Sequence, residues 1–305
     1  MAASDYEIWT VEEPYLESHC KLGEGPFYEK ATNILRFVDI IQHRVHTVNL
    51  TEGPSSFQTI QLDCPVTVTA DIEGIDPAEK ILIGVKYGLA ILDRKTGKYE
   101  YVAKLAETPN ERLRTNDGGA DPNGRFWLGT MTDFNLGEFQ PEGGLFRFDG
   151  TATSELIKDL TIPNSVGWSP DNKTLYFTHS TSAEVLAFDY DVETGGISNQ
   201  RVFYKHEGSG GPDGFRVDVN GFIWHAVYGE GRVLKINPEG KLVGEVRLPT
   251  RNITCTQFVG TELFITTAND DEAEGGERSK ALGGAVFRVD VGVEGLPLFP
   301  YKLQA

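Results

Sequence analysis

RTNDGGADPNGRFWLGTM, residues Arg114 to Met131, carries three signals in close succession. Asn116-Asp117-Gly118-Gly119 is a polar, glycine-rich lead-in to a strand, where side-chain oxygens can face a ligand. Asp121-Pro122-Asn123-Gly124 reads as a tight turn, with proline presetting φ and glycine accepting a positive one. Arg125 to Thr130 then reads as a mostly apolar strand rich in aromatics. The same succession recurs. Glu24-Gly25-Pro26-Phe27 leads through Thr32-Asn33 into Ile34-Leu35-Arg36-Phe37. Asn164-Ser165-Val166-Gly167-Trp168 leads through Pro170-Asp171-Asn172 into Thr174-Leu175-Tyr176-Phe177. Asp213-Gly214-Phe215 leads through Asn220-Gly221 into Phe222-Ile223-Trp224.

Extended along the chain, the pattern gives six units of four short strands. The second strands, marked by Leu35, Leu82, Phe126, Leu175, Ile223 and Leu263, return about every 40 to 50 residues, the period of propeller blades. No segment keeps a helical period, which removes helical solenoids. The expected fold is all-β: a six-bladed β-propeller with four antiparallel strands per blade, spanning 1–305 as one domain. A lone strand from Asp5 to Val11 is expected to complete the last blade and lock the ring. The sixth unit is expected to end on a strand from Leu296 to Leu303. Loops at 132–141 and 269–282 interrupt the third and sixth units, at lengths typical of functional loops.

Bulk properties narrow the function. A net charge of −17 and a pI near 4.8 argue against nucleic acid and anionic membranes. The 34 glycines suit a fold of many tight turns. Cys20, Cys64 and Cys255 form no CxxC pair, so neither a disulfide framework nor a zinc knuckle is expected. The N-terminal residues carry neither a basic n-region nor an apolar h-region, and no apolar run reaches membrane-spanning length. A cytoplasmic protein, monomeric or weakly self-associating, is expected.

In a propeller the first strand of each blade lines the central channel, so residues at one phase of those strands form a ring. The phase-matched residues here are Glu24, Asn116, Asn164 and Asp213, with Thr67 or Thr69 and Thr254 in the remaining units. One Asn or Asp beside Gly or Pro is by default a turn residue. Four in phase call for another cause, because carboxylates and amides meeting near an axis repel or stay unsatisfied. A divalent cation resolves this, and an all-oxygen set favours Ca²⁺, Mg²⁺ or Mn²⁺, with Zn²⁺ or Fe²⁺ also compatible.

GEGPFY, RTNDGGADPNGRFWLGTM, IPNSVGWSPDNKTLYFTHS, AFDYDVETGGIS, GGPDGFRVDVNGFIWHAVYGEGRV and GGAVFRVDVGVEGLP run in order over nearly the whole chain from Cys20. Together they resemble the SMP-30/gluconolactonase family, also called the regucalcin family. The resemblance implies a six-bladed propeller with one divalent metal in its channel and a sugar-lactone substrate. By motif match it makes Glu24, Asn164 and Asp213 the metal ligands and Asp213 the general base. It makes Arg114 a substrate-binding residue and sets Asn116 at the open side of the metal, touching it or the substrate. The chain departs from the family pattern at His179-Ser180, where an aspartate commonly precedes the serine, at Thr132-Asp133-Phe134, and at Gly211 before Pro212-Asp213.

The implied reaction polarises the lactone carbonyl with the cation, while Asp213 takes a proton from the attacking water. No nucleophile competes, since neither Ser180 nor Ser209 sits in a GxSxG elbow. His43, His46 and His206 read as exposed, His179 and His225 as structural residues near strand ends, and Cys255 as a small buried hydrophobe. Trp127, Trp168 and Trp224 read as inter-blade core. A metal-dependent phosphotriesterase or arylesterase, and a non-catalytic calcium-binding propeller, remain open on the same residues.

Overall fold

A computed structural model describes residues 6–303. Six small sheets stand in a ring, each meandering from an inner to an outer strand. The inner strands are Gly23–Glu29, Val66–Ala70, Leu113–Ala120, Pro163–Trp168, Gly211–Val217 and Ile253–Val259. Each packs on the inner strands at either side, and Ile253–Val259 meets Gly23–Glu29 to close the circle. The protein is a six-bladed β-propeller, as its repeat predicts. Among the described residues no helix is long and apolar enough to cross a membrane.

The turn chemistry explains why the repeat folds this way. Asp121 accepts backbone hydrogen bonds from Asn123 and Arg125, both at 2.9 Å, and one from Trp127 Nε1 at 3.1 Å. Asp218 repeats this with Asn220, Phe222 and, at 3.0 Å, Trp224 Nε1. Gly124 and Gly221, at φ 86° and 84°, supply the left-handed turn residue. One carboxylate thus ties a turn and aims a fully buried indole into the inter-blade core. In blade four Ser169 holds the turn through Thr174, and in blade one Glu29 holds Thr32 and Arg36.

Three expectations need correction. The strand Glu7–Thr10 pairs in parallel with Leu242–Arg247, so it forms a fifth strand on blade five, not a strand of blade six; Asp5 lies outside the described residues. The ring is still closed by the N-terminal segment, because Tyr15 and Leu16 donate to Val286 O on blade six. Leu296 to Leu303 is not a strand of blade six, whose sheet has three strands among the described residues. That segment crosses the far end of the channel, bonding Val217 through Leu296, Asp71 through Tyr301 and Gly124 through Lys302. Its five apolar or proline-bounded residues from Leu296 to Pro300 explain the choice: they cover the channel mouth, where Leu296 and Phe299 line an apolar cavity with Phe27, Gly119 and Val166.

Finally, His46 and His206 are buried rather than exposed. His46 packs against the rings of Phe37 and Phe57, and His206 Nε2 meets Glu230 Oε1 at 3.1 Å.

Candidate functional site

All six inner strands break register with their neighbours at the same level. The shifts fall between Glu24 and Phe27, Val66 and Val68, Thr115 and Gly118, Pro163 and Val166, Pro212 and Phe215, and Ile253 and Cys255. A β-bulge re-aims the side chains it carries. Here the bulges hold Asn116, Asn164, Asp213, Thr67 and Thr254, with Glu24 at the edge of its own. Glycine and proline at 25–26 and glycine at 214 ease two of these bends, and Gly25 takes φ 53°.

The result is a cavity of about 340 Å³ at one end of the channel. Glu24, Arg114, Asn116, Asn164 and Asp213 all line it, so the five residues read from the sequence converge. All five are buried. Asn116 Oδ1 accepts from Arg114 Nη1 at 2.9 Å, and its Nδ2 donates to Pro163 O at 2.8 Å. Asn164 Nδ2 donates to Ser180 Oγ at 3.0 Å, and Ser180 donates to Pro212 O at 2.6 Å. Asn164 Oδ1 is buried and has no partner.

Electrostatics sharpen the picture. Burial, followed by the charge of Asp117, pushes Glu24 up to about 8. Burial, then Glu24 and then Asp117, hold Asp213 well above the usual carboxylate range. Burial also raises Asp117, against the pull of Arg216. Carboxyls so crowded resist ionisation unless positive charge joins them. An orphaned amide oxygen beside two such carboxyls is a hard oxygen donor set, and it suits a divalent cation of the Ca²⁺ or Mg²⁺ type.

Two members of the site were not singled out in the sequence. Asp117 lies beside Asn116 in the same bulge and takes hydrogen bonds from Gly118 N, at 2.7 Å, and from Ser165 Oγ. Arg216 reaches across the channel from blade five to Gln257 Oε1 on blade six, at 2.9 Å, and Pro26 O on blade one, at 3.1 Å. It forms a cationic floor. Asp117 stands in the opening motif itself; the missing signal was that a bulge turns two successive residues inward. Arg216 looks like an ordinary strand residue, and nothing local marks it.

The wall carries Arg114, whose guanidinium lies 4.2 Å from the centre of the Phe134 ring and donates to Thr115 O at 2.7 Å. Burial lowers it to about 10. Phe134 and Phe139 come from the 132–141 loop, which Asp133 pins to Lys86 at 2.8 Å. Asn269 comes from the second long loop, which ends in the helix Glu277–Leu282. His179 and His225 stay out of the cavity: His179 Nε2 accepts from Thr161 N at 3.2 Å, and His225 Nε2 meets Thr178 Oγ1 at 2.8 Å.

Comparison with known proteins gives the family of the chain. The SMP-30/gluconolactonase/LRE-like region matches residues 22–269. The chain is 32% identical to regucalcin of Bos taurus over 295 residues, covering 94% of this chain and 96% of that one. It is 33% identical to a pentonolactonase of Haloferax volcanii over 299 residues, covering 93% and 96%. Among solved structures it superposes on a calcium-binding protein, regucalcin, from Agrobacterium tumefaciens with a TM-score of 0.86, at 27% identity and 98% and 99% coverage. The chain belongs to the SMP-30/gluconolactonase/LRE-like family.

Proposed function

We propose that the protein is a metal-dependent hydrolase that opens a sugar lactone, with Asp213 as general base. The observation that carries the reading is the buried meeting of Glu24, Asn164 and Asp213, with Asn164 Oδ1 unpartnered, under a wall formed by Arg114 and Asn116. The pentonolactonase relative supplies the substrate class. Glu24, Asn164 and Asp213 would hold one divalent cation; Ca²⁺, Mg²⁺, Mn²⁺ and Zn²⁺ suit them, and Fe²⁺ is compatible. When bound, such an ion supplies Lewis-acid polarisation of the ester carbonyl and favours the ionised forms of both carboxyls.

The chain's own residues do the rest. Asp213 takes a proton from the water that attacks the carbonyl carbon, and returns it to the ring oxygen as the ring C–O bond breaks. Arg114 and Asn116, already fixed to one another, present donors to the sugar hydroxyls at no further cost in ordering. Ser180 accepts from Asn164 Nδ2 and so fixes the amide with its oxygen free of protein partners. The closed channel floor, with Arg216 below, keeps bulk water from reaching the carboxyls from beneath.

The test is hydrolysis of a panel of aldonolactones by chelator-treated protein, with each cation added back. Lactone opening restored by metal and lost in Asp213→Asn supports the reading. Full activity in that variant refutes it. A second reading, an arylesterase, draws on the mouth of the cavity, where Ile40, Ile41, Met131, Phe134, Phe139 and Tyr228 offer an apolar rim. Phenyl acetate in the same panel separates the two: faster turnover of the aryl ester than of any lactone favours the second.

A further inference from the structure

Away from the channel, Cys20, Asp39 and His46 offer ligand atoms within 4.8 Å of one another, and all three residues are buried. None of them lines the catalytic cavity. They stand at the seam where the N-terminal segment passes from blade six to blade one. Cys20 N donates to Gly284 O at 2.9 Å on the blade-six side, and Asp39 and His46 belong to the second and third strands of blade one.

Each residue is prepared for coordination. His46 Nδ1 meets Thr59 Oγ1 at 2.9 Å, and the opposite ring nitrogen, Nε2, is buried without a partner. Metal-bound histidines commonly engage one ring nitrogen in an outer hydrogen bond and leave the other for the ion. The Phe37 and Phe57 rings, each with its centre 5.0 Å from the imidazole, lock that orientation. Asp39 is oriented by backbone N–H groups of Lys21, at 2.7 Å, and Gln42, at 3.0 Å. Ser18 lies against the Cys20 thiol. A structural account of a thiol leaning on a capping aspartate explains two members of the group but leaves the imidazole nitrogen orphaned. Leaving a buried polar atom unpaired is costly.

We propose that Cys20, Asp39 and His46 form a second metal site, for a thiolate-accepting divalent cation of the Zn²⁺ class, that staples the closing seam of the ring. Sulfur, imidazole and carboxylate together select Zn²⁺ or Co²⁺ over Ca²⁺ and Mg²⁺. On binding, the Cys20 S–H bond gives its proton to solvent and the sulfur bonds the metal. The dication, one thiolate, one carboxylate and a neutral imidazole then sum to zero charge, which suits a buried site. Burial already holds His46 down to about 4, so the imidazole is neutral and ready. The fourth tetrahedral position falls to water or the Ser18 hydroxyl.

The test is Co²⁺ titration of the full-length, chelator-stripped protein, read in the near-ultraviolet thiolate-to-cobalt charge-transfer band. The band should appear in the wild type and reach its plateau within two equivalents, because the channel cavity takes one cation of its own. It should persist in Glu24→Gln and Cys255→Ser, and vanish in Cys20→Ser and His46→Phe. Absence of the band in the wild type, or its survival in Cys20→Ser, overturns the proposal. Should Cys20→Ser fail to fold, zinc-edge X-ray absorption of the wild type decides: a sulfur scatterer at about 2.3 Å that remains in Cys255→Ser supports the site, and a shell of oxygen and nitrogen alone refutes it. The outcome is independent of whether the channel opens lactones.

Discussion

Glu24→Gln should stabilise the metal-free protein while weakening its hold on metal. The perturbation removes one of three crowded carboxyls but keeps an oxygen that can accept the Gly25 N–H, now bonded to Glu24 Oε2 at 2.9 Å. Glu24 is displaced from 4.5 in the unfolded chain to about 8 in the fold. Between these values the unfolded chain has released the proton and the folded one still holds it. The folded state therefore binds more protons, and stability falls as pH rises. From 4.5 to pH 7, at roughly 1.4 kcal/mol per pH unit, the loss comes to about 3 kcal/mol, and it approaches about 5 kcal/mol at pH 8 and above.

Glutamine does not titrate, so this loss should disappear in the variant. Urea unfolding of chelator-treated protein at pH 5 and pH 8 is the assay. The variant's advantage should be small at pH 5 and grow by a few kcal/mol at pH 8. With saturating cation the order should reverse, because the wild type gains binding free energy that the variant has lost. A gap between variant and wild type that is the same at both pH values, without metal, refutes the argument that burial and the charge of Asp117 hold Glu24 protonated.

Other predictions concern the scaffold. Asp121→Ala strips partners from the Trp127 indole, the Arg125 guanidinium and the Tyr190 hydroxyl at once, and should cost about 3–5 kcal/mol in denaturant unfolding. Tyr301→Ala removes a fully buried ring whose hydroxyl donates to Gly150 O at 2.5 Å, and should cost about 3–5 kcal/mol by the same measurement. Gly214→Ala sets a methyl group 2.3 Å from Cys255 Sγ and 2.8 Å from its Cα, so it should lower stability by about 1–3 kcal/mol and reduce metal affinity through Asp213. Gly211→Ala, three positions earlier, meets only Ser180 Cβ at 4.0 Å and should leave unfolding within about 0.5 kcal/mol of the wild type.

Much of this was legible because the repeat writes one physical solution several times. Turn aspartates at Asp121 and Asp218, the buried indoles they hold and the polar residue at the channel phase all recur in register, so a pattern weak in one blade becomes clear across the ring. What was not legible lies where the repeat stops. The N-terminal strand has two sheet edges within reach, and periodicity does not say which it takes; the parallel pairing of Trp9 with Val246 is set by packing of Trp9 on Trp224. The segment from Leu296 onward is apolar like a strand, yet it serves as a cover because the channel's far end needs one. Arg216 has its role only through partners on blades six and one, which no local reading supplies.

The bulge level also explains how a scaffold of near-identical blades makes an asymmetric site. The bulges of blades one, three, four and five turn two neighbouring positions toward the axis, and the pairs differ around the ring, whereas those of blades two and six hold a single threonine, Thr67 and Thr254. Blades one and five contribute a carboxylate followed by glycine, Glu24-Gly25 and Asp213-Gly214; blades three and four contribute an amide followed by a polar residue, Asn116-Asp117 and Asn164-Ser165. The glycines let the backbone approach its neighbour, Gly25 facing Thr67 O and Gly214 lying against Cys255. The polar pair instead builds a lower layer, in which Ser165 donates to Asp117 and accepts from Phe215 N at 3.0 Å, joining blades three, four and five. Donors for a cation therefore collect at the upper level, and the bonds that hold blades at fixed separation collect just beneath. Changing one residue of a pair alters the chemistry, and changing the other alters the spacing at which that chemistry is held. The fold can thus vary its reaction without rebuilding its ring.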